Sequence, residues 1–241
     1  MFNVIGLIFI MLKKNLLIII PARSNSKSIQ SKNTIKIFGN ALIYYTIKVA
    51  KKIKEKNKII FCSTDSLKIK KIVEQYELDV PFLRPKKYAK DLSRDIEFVN
   101  HALIKFFNKK ITFKYCLILR PTSPIRNLKN IHRAYSLLKK NKKADSIRAV
   151  TYPKNNPFKI WSMKKEFLQP ILKSKIKEHY NAPRQILPQT YWQTGNFEFF
   201  KVNFKKKLNS ISGKNILPFL IFGDETLDID NYLDLKGLKK I

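Results

Sequence analysis

The sequence predicts an α/β fold built on a doubly wound, mostly parallel sheet, and three observations carry that prediction. The run Leu-Leu-Ile-Ile-Ile at 16–20 is apolar and mostly β-branched, the pattern of a strand buried on both faces. Further apolar runs at 58–63, 115–119 and 145–150 alternate with stretches of helical spacing, the rhythm of strand, crossover helix and parallel strand. The segments richest in chemistry, 22–33 and 120–126, follow two of these strands, where open α/β sheets bind ligands. A chain of 241 residues suits one domain with a substantial core and an insertion.

Each element has a local reason. Pro21 ends the first strand because it brings no N–H to a ladder. Residues 22–33 hold Arg23, Lys27 and Lys32 among small polar residues with no acid, a composition suited to a polyphosphate. Leu42, Ile43, Ile47, Ala50 and Ile53 keep helical spacing over 41–52. Ser63-Thr64-Asp65 closes the 58–63 strand, and a Thr or Asp oxygen there is expected to cap the helix that runs to about Glu77. Arg84-Pro85 lies in a short extended piece, and Asp91 precedes a helix over 95–107. The strand at 115–119 stops at Arg120-Pro-Thr-Ser-Pro-Ile-Arg126, a helix covers 128–140, and residues 145–150 read as a fourth strand. From Tyr152 to Gln193 five prolines exclude long regular elements, while Trp161, Tyr180, Tyr191 and Trp192 offer large apolar faces. An irregular stretch of about 40 residues inside a domain serves a site or an interface, so 152–193 is read as a dimerisation insert. Strands near 195–200 and 217–222 and a short helix over 233–240 complete the chain.

Composition removes several function classes. The net charge of +32 tempts toward nucleic acid, but eight Arg stand against 41 Lys spread along the whole chain. Dedicated nucleic-acid binders cluster charge and favour Arg for its planar fork. The charge is read as a coding bias, which makes each Arg a marker of a place needing that fork. Cys62 and Cys116 both fall in strands and read as buried, inert thiols in a reducing cytoplasm, without metal-ligand spacing. Residues 1–10 are apolar, too short to span a bilayer and without signal-peptide features. They read as an extension or a misassigned start ahead of Met11, without stable membrane insertion.

The second constellation is Asp228-Ile229-Asp230. Alternate residues of an extended segment share a face, so both carboxylates point one way, as a Mg²⁺ site beside a phosphate requires. The chain has only 17 acids, and five of them fall between Asp224 and Asp234. A solvated acidic turn is the bland alternative. Ser123 has no His nearby in sequence, and His101, His132 and His179 show no partner, so a Ser-His-Asp assembly lacks support. No Gly-rich dinucleotide or P-loop pattern occurs.

Eight short blocks in order resemble the acylneuraminate cytidylyltransferase (CMP-sialic acid synthetase) family. They are Pro21-Ala-Arg-Ser-Asn-Ser-Lys27 with Lys32-Asn33, Ser63-Thr-Asp65, Leu83-Arg-Pro85, Asp91, Pro121-Thr-Ser-Pro-Ile-Arg126, Asp145-Ser146, Pro183-Arg-Gln185 and Asp228-Ile-Asp230. The resemblance implies a fold of the nucleotide-diphospho-sugar transferase type and a homodimer whose insert is exchanged. It implies a reaction that joins CTP to the anomeric hydroxyl of a nonulosonic (sialic-type) acid and releases pyrophosphate. It puts Ala22, Arg23, Ser26, Lys32, Asn33, Arg84 and Asp91 at the nucleotide, with Arg23 and Lys32 on the triphosphate. Asp228 and Asp230 would hold Mg²⁺, and Arg120, Thr122, Ser123, Lys159, Arg184 and Gln185 would face the sugar. Arg23, Lys32, Asp228 and Asp230 would carry catalysis. Three departures stand out: Ser28 for a usual Gly, Arg120 for a Gln, and Thr194-Gly195 for Asn-Gly. The last two touch the sugar pocket and point to a nonulosonate of legionaminic or pseudaminic type. The rivals are a KDO cytidylyltransferase on the same fold and, from another class, a nucleic-acid-binding protein with no need for the acid pair.

Overall fold

A computed structural model describes residues 11–25, 28–203, 208–236 and 238; the readings of residues 1–10, Ser26 and Lys27 lie outside them. In chain order the elements are β1 (Leu12–Pro21), the two-residue strands β2 (Lys36–Ile37) and β3 (Asn40–Ala41), α1 (Leu42–Lys52), β4 (Lys58–Ser63), α2 (Leu67–Gln75), α3 (Asp95–Asn108) and β5 (Ile111–Ile118). There follow α4 (Leu128–Lys140), β6 (Ser146–Thr151), β7 (Trp161–Lys164), β8 (Phe167–Pro170), β9 (Trp192–Lys201), β10 (Ile216–Leu220) and α5 (Tyr232–Lys236).

Six strands form one sheet in the order β10-β6-β9-β5-β1-β4. β1 runs parallel to β4 (Leu16↔Lys58 to Pro21↔Ser63) and to β5, whereas β9 runs antiparallel to β5. Strand alternation sorts β1 onto two cores. Leu16, Ile18 and Ile20 pack with Ile43 and Ile47 of α1, Ile69 and Val73 of α2, and Ile131 and Leu138 of α4. Leu17 and Ile19 pack on the other face with Phe98, Val99, Ala102 and Phe106 of α3. This two-sided burial is why the run at 16–20 carries no polar residue, each position being 0% exposed.

A third, smaller core positions the chemistry. Ile29 of the basic loop, Ile37, Leu42, Tyr45 and Ile229 pack together, with Ile29 and Ile229 both fully buried. β2 and β3 meet through Phe38 and Gly39, both at positive φ (46° and 83°), the backbone of a tight two-residue hairpin turn.

The strand at 115–119 extends back to Ile111, because Thr112 and Phe113 are buried although the pattern is broken by an exposed Lys114. The expected cap of α2 is corrected: Ser66, not Thr64 or Asp65, accepts from the Ile69 N–H (3.3 Å). The helix expected over 233–240 is described only as α5, five residues long.

Residues 150–193 form a second compact unit. It is not wholly irregular, since β7 and β8 pair antiparallel from Trp161↔Pro170 to Lys164↔Phe167. The hairpin escapes the prolines because Pro170 is the last residue of its strand. Met163, Phe167 and Leu168 on it are exposed. The free thiols of Cys62 and Cys116 are buried, and burial raises both pKa values, that of Cys62 to about 12.

Candidate functional site

At the carboxyl ends of β1, β4 and β5 lies a cavity of about 330 Å³. Its walls bring together Arg23, Lys32, Asn33, Arg84, Asp91, Arg120 and Thr122, seven of the residues expected to touch nucleotide or sugar. Pro21 and Pro121 also line it, as do Tyr88, Lys90, Ser93, Asp95 and Phe98, five residues that no sequence pattern marked as belonging to the site.

The basic loop is held from several sides. Asp65 accepts both the Ser24 N–H (2.8 Å) and its hydroxyl (2.6 Å), so this acid clasps the loop instead of capping α2. Ala22, expected at the nucleotide, is fully buried, donates its N–H to the Ser63 carbonyl and is not among the residues that line the cavity. Asn33 Nδ2 donates to the Arg23 carbonyl (3.1 Å). Arg23 itself pairs with Asp91 (3.2 Å) and donates to the Lys90 carbonyl (2.9 Å), which fixes its head beside the cavity. Asp91 thus holds the Arg23 guanidinium and itself lines the cavity.

Arg84 is 6% exposed and lies over the Phe98 ring at 4.8 Å. Its Nε and Nη2 donate to the Ser63 hydroxyl and carbonyl. Burial lowers its pKa to about 10, opposed by Cys62, Asp65 and Asp95, so it stays a cation at neutral pH.

The acidic turn is pinned through its middle residue. Ile229 is 0% exposed, its N–H donates to the Thr122 carbonyl (2.8 Å), and its carbonyl accepts from Lys32 Nζ (2.9 Å). Asp230 Oδ1 accepts from Lys32 Nζ at 3.1 Å, and Asp228 Oδ1 accepts from the Ser123 hydroxyl at 3.4 Å. Among the described residues no group of three or more His, Cys, Asp or Glu could hold a metal by itself. Two carboxylates suit a magnesium ion that keeps waters and takes phosphate oxygens for the rest of its shell.

The 120–126 loop is fastened by Arg126. Its guanidinium donates to the Arg120 carbonyl (2.5 Å), the Asn196 carbonyl (2.7 Å) and the Thr46 hydroxyl (3.0 Å), joining loop, β9 and α1. Burial pushes its pKa down to about 9, while the Asp228 charge pushes it back up. The side chain of Arg120 pairs with Asp95 on the cavity wall. Ser123, expected at the sugar, is 1% exposed and its hydroxyl donates to Asp228 Oδ1; among the described residues no histidine is bonded to it.

Lys159, Arg184 and Gln185 lie in the second unit, on short 3₁₀ turns at Pro157–Lys159 and Arg184–Ile186. Arg184 Nη2 donates to the Lys154 carbonyl (2.6 Å) and lines a cavity of about 240 Å³ with Tyr152, Asn156 and Gln189.

A sequence profile of the family described as Cytidylyltransferase matches residues 17–195, from β1 into β9. The chain belongs to the cytidylyltransferase family. It is 30% identical over 220 residues to the "Post-translational flagellin modification protein B" of Campylobacter coli, covering 90% of each chain. It is 38% identical over 124 residues to the "CMP-N,N'-diacetyllegionaminic acid synthase" of Legionella pneumophila, covering 52% of this chain and 53% of that one. Among solved structures, a CMP:2-keto-3-deoxy-manno-octonic acid synthetase complexed with CTP superimposes with a TM-score of 0.66 over 92% of this chain, at 12% identity. That last likeness shows a shared cytidylyltransferase fold and nothing finer.

Proposed function

We propose that the chain transfers CMP from CTP to the anomeric hydroxyl of a nonulosonic acid of the sialic type, releasing pyrophosphate. The observation that carries the reading is the convergence of Arg23, Lys32, Arg84 and Arg120 on one cavity at the strand ends, in a cytidylyltransferase, with Asp230 and the Ile229 carbonyl of the acidic turn bonded to Lys32. The relative named a diacetyllegionaminic acid synthase supports a sugar of legionaminic type.

In this reading the sugar hydroxyl attacks the α-phosphate, the new P–O bond forms in line, and the bond to the β-phosphate breaks. Arg23 and Lys32 offset the triphosphate charge, and Arg23 needs little reorganisation because Asp91 already holds it in place. Arg84 is a fixed cation on the nucleotide side, supported by Phe98 and Ser63. Magnesium on Asp228 and Asp230 would neutralise charge on the transferred phosphate. Lys159 and Arg184 are assigned to the sugar acid, where the planar fork of Arg184 matches a carboxylate. A homodimer in the cytoplasm belongs to the same reading.

The experiment is pyrophosphate release from CTP with Mg²⁺ over a panel of legionaminic, pseudaminic and neuraminic acids and KDO. Turnover with a nonulosonic acid and not with KDO supports the reading. Turnover with KDO alone, or with none of the sugars in a folded protein, overturns it.

A further inference from the structure

We infer that Gly195 is a positioning residue for the metal-binding carboxylate of Asp228, an inference that rests on the function proposed above. Gly195 lies in β9, outside the acidic turn and outside the cavity lining. Its backbone does not require glycine, since its φ lies outside the left-handed region. What requires glycine is the space on its side-chain face. A Cβ there would stand 2.8 Å from Asp228 Oδ2, 2.8 Å from Ser123 Oγ and 3.2 Å from Asp228 Cγ.

The identity of those atoms decides the consequence. The two closest are the ends of side chains, not backbone, so the fold can accept a methyl group by rotating Asp228 and Ser123 away. Such a rotation costs the fold little. It is costly for a metal site, because each oxygen must retreat from 2.8 Å to about 3.4 Å. Magnesium demands near-ideal octahedral geometry and tolerates displacement of a ligand poorly. The two responses are also coupled, since the Ser123 hydroxyl donates to Asp228 Oδ1. Residues that orient a metal ligand without touching the metal commonly change affinity as much as some ligands do. Gly195 would act in that way by leaving room: β9 is pressed so close to the acidic turn that only a hydrogen fits between them.

The test is the Gly195→Ala variant of the full chain, read by calorimetry of CTP binding with and without Mg²⁺. The expected wild-type result is that Mg²⁺ strengthens CTP binding. The variant keeps its Mg²⁺-free affinity within about twofold and its melting temperature, but loses about tenfold or more of the Mg²⁺ enhancement. A merely structural role would lower the melting temperature and weaken both affinities together. Full retention of the enhancement overturns the inference, as does loss of Mg²⁺-free affinity with the enhancement intact. Should Gly195→Ala fold poorly, Gly195→Ala combined with Ser123→Ala removes one of the two clashes. The remaining clash with Asp228 predicts the same loss of enhancement. A wild type with no Mg²⁺ enhancement overturns the metal reading itself. Silence of the sugar panel in turnover assays leaves this binding experiment fully readable, so the two failures are distinguishable.

Discussion

Ile229→Ala tests the claim that the acid pair is held in place by the apolar residue between its members. Ile229 is 0% exposed and packs with Ile29, Ile37, Leu42 and Tyr45. Truncating a buried Ile to Ala costs roughly 2–5 kcal/mol, the transfer of the lost carbons plus the cavity they leave. At roughly 2–4 °C per kcal/mol for a chain of this size, the melting temperature falls by about 4–20 °C. With a stability of about 10 kcal/mol, the middle of the usual range of about 5–15, about 5 kcal/mol or more remains after that loss and the variant stays folded at 25 °C, which circular dichroism at that temperature checks. Any large loss of turnover then reports displaced carboxylates and not an unfolded fraction. The control is Ile147→Ala: Ile147 is equally buried at 0% but lies in β6 within the main core. The expected result is comparable destabilisation by thermal melting, with pyrophosphate release reduced about tenfold or more only in Ile229→Ala, the scale of effect seen when a metal's supporting shell is disturbed. Equal losses of turnover in the two variants, or a neutral Ile229→Ala, would refute the anchoring argument.

Asp230→Ala lowers turnover by about 10²–10³-fold, as removal of one preorganised electrostatic group commonly does. Its melting temperature barely changes, because the side chain is 74% exposed; substantial Mg²⁺-dependent activity would remove the metal assignment. Arg184→Ala raises the sugar KM by roughly 10–100-fold, the equivalent of one charge-assisted hydrogen-bonding pair, and leaves the CTP KM in place. The reverse pattern in steady-state kinetics would mean the sugar is misplaced. His132 supplies a pH prediction. Burial, then Lys54 and Lys58, holds its pKa below 6.5, and its Nε2 accepts the Lys54 N–H at 3.0 Å. A folded pKa below the unfolded one means the unfolded chain binds more protons, so stability is lost as pH falls through about 6.5 toward the folded value. Melting temperatures of the wild type therefore drop between pH 7.5 and 5.5, and those of His132→Gln drop less; identical profiles would sink the assignment. His101, lowered by burial and by Lys105 and Arg84, titrates with the same sign and accounts for the remainder.

Much of this molecule follows from sequence alone. The run at 16–20 is legible as a doubly buried strand because burial on both faces leaves no room for a polar residue. α4 is legible over 128–140 because one apolar stripe repeats at helical spacing above lysines that stay in water. The basic loop and the acid pair are visible because unusual residue types cluster within a few positions, and a cluster is a local property. The expected cap at Thr64 or Asp65 failed because hydroxyl and carboxylate oxygens are interchangeable in a pattern; only the folded chain brings Ser24 to Asp65 and leaves Ser66 for the helix. Ser123 was singled out by its place in the Pro-Thr-Ser-Pro block, and only the approach of Asp228 from 105 residues away shows which oxygen its hydroxyl meets. Tertiary structure alone also decided that Lys32 reaches Asp230 across 198 residues, that Arg126 ties three elements together, and that a Cβ at Gly195 would meet Asp228 and Ser123 at 2.8 Å. Periodicity and composition are written along the chain. Distances between side chains remote in sequence arise only when the sheet brings its strand ends together.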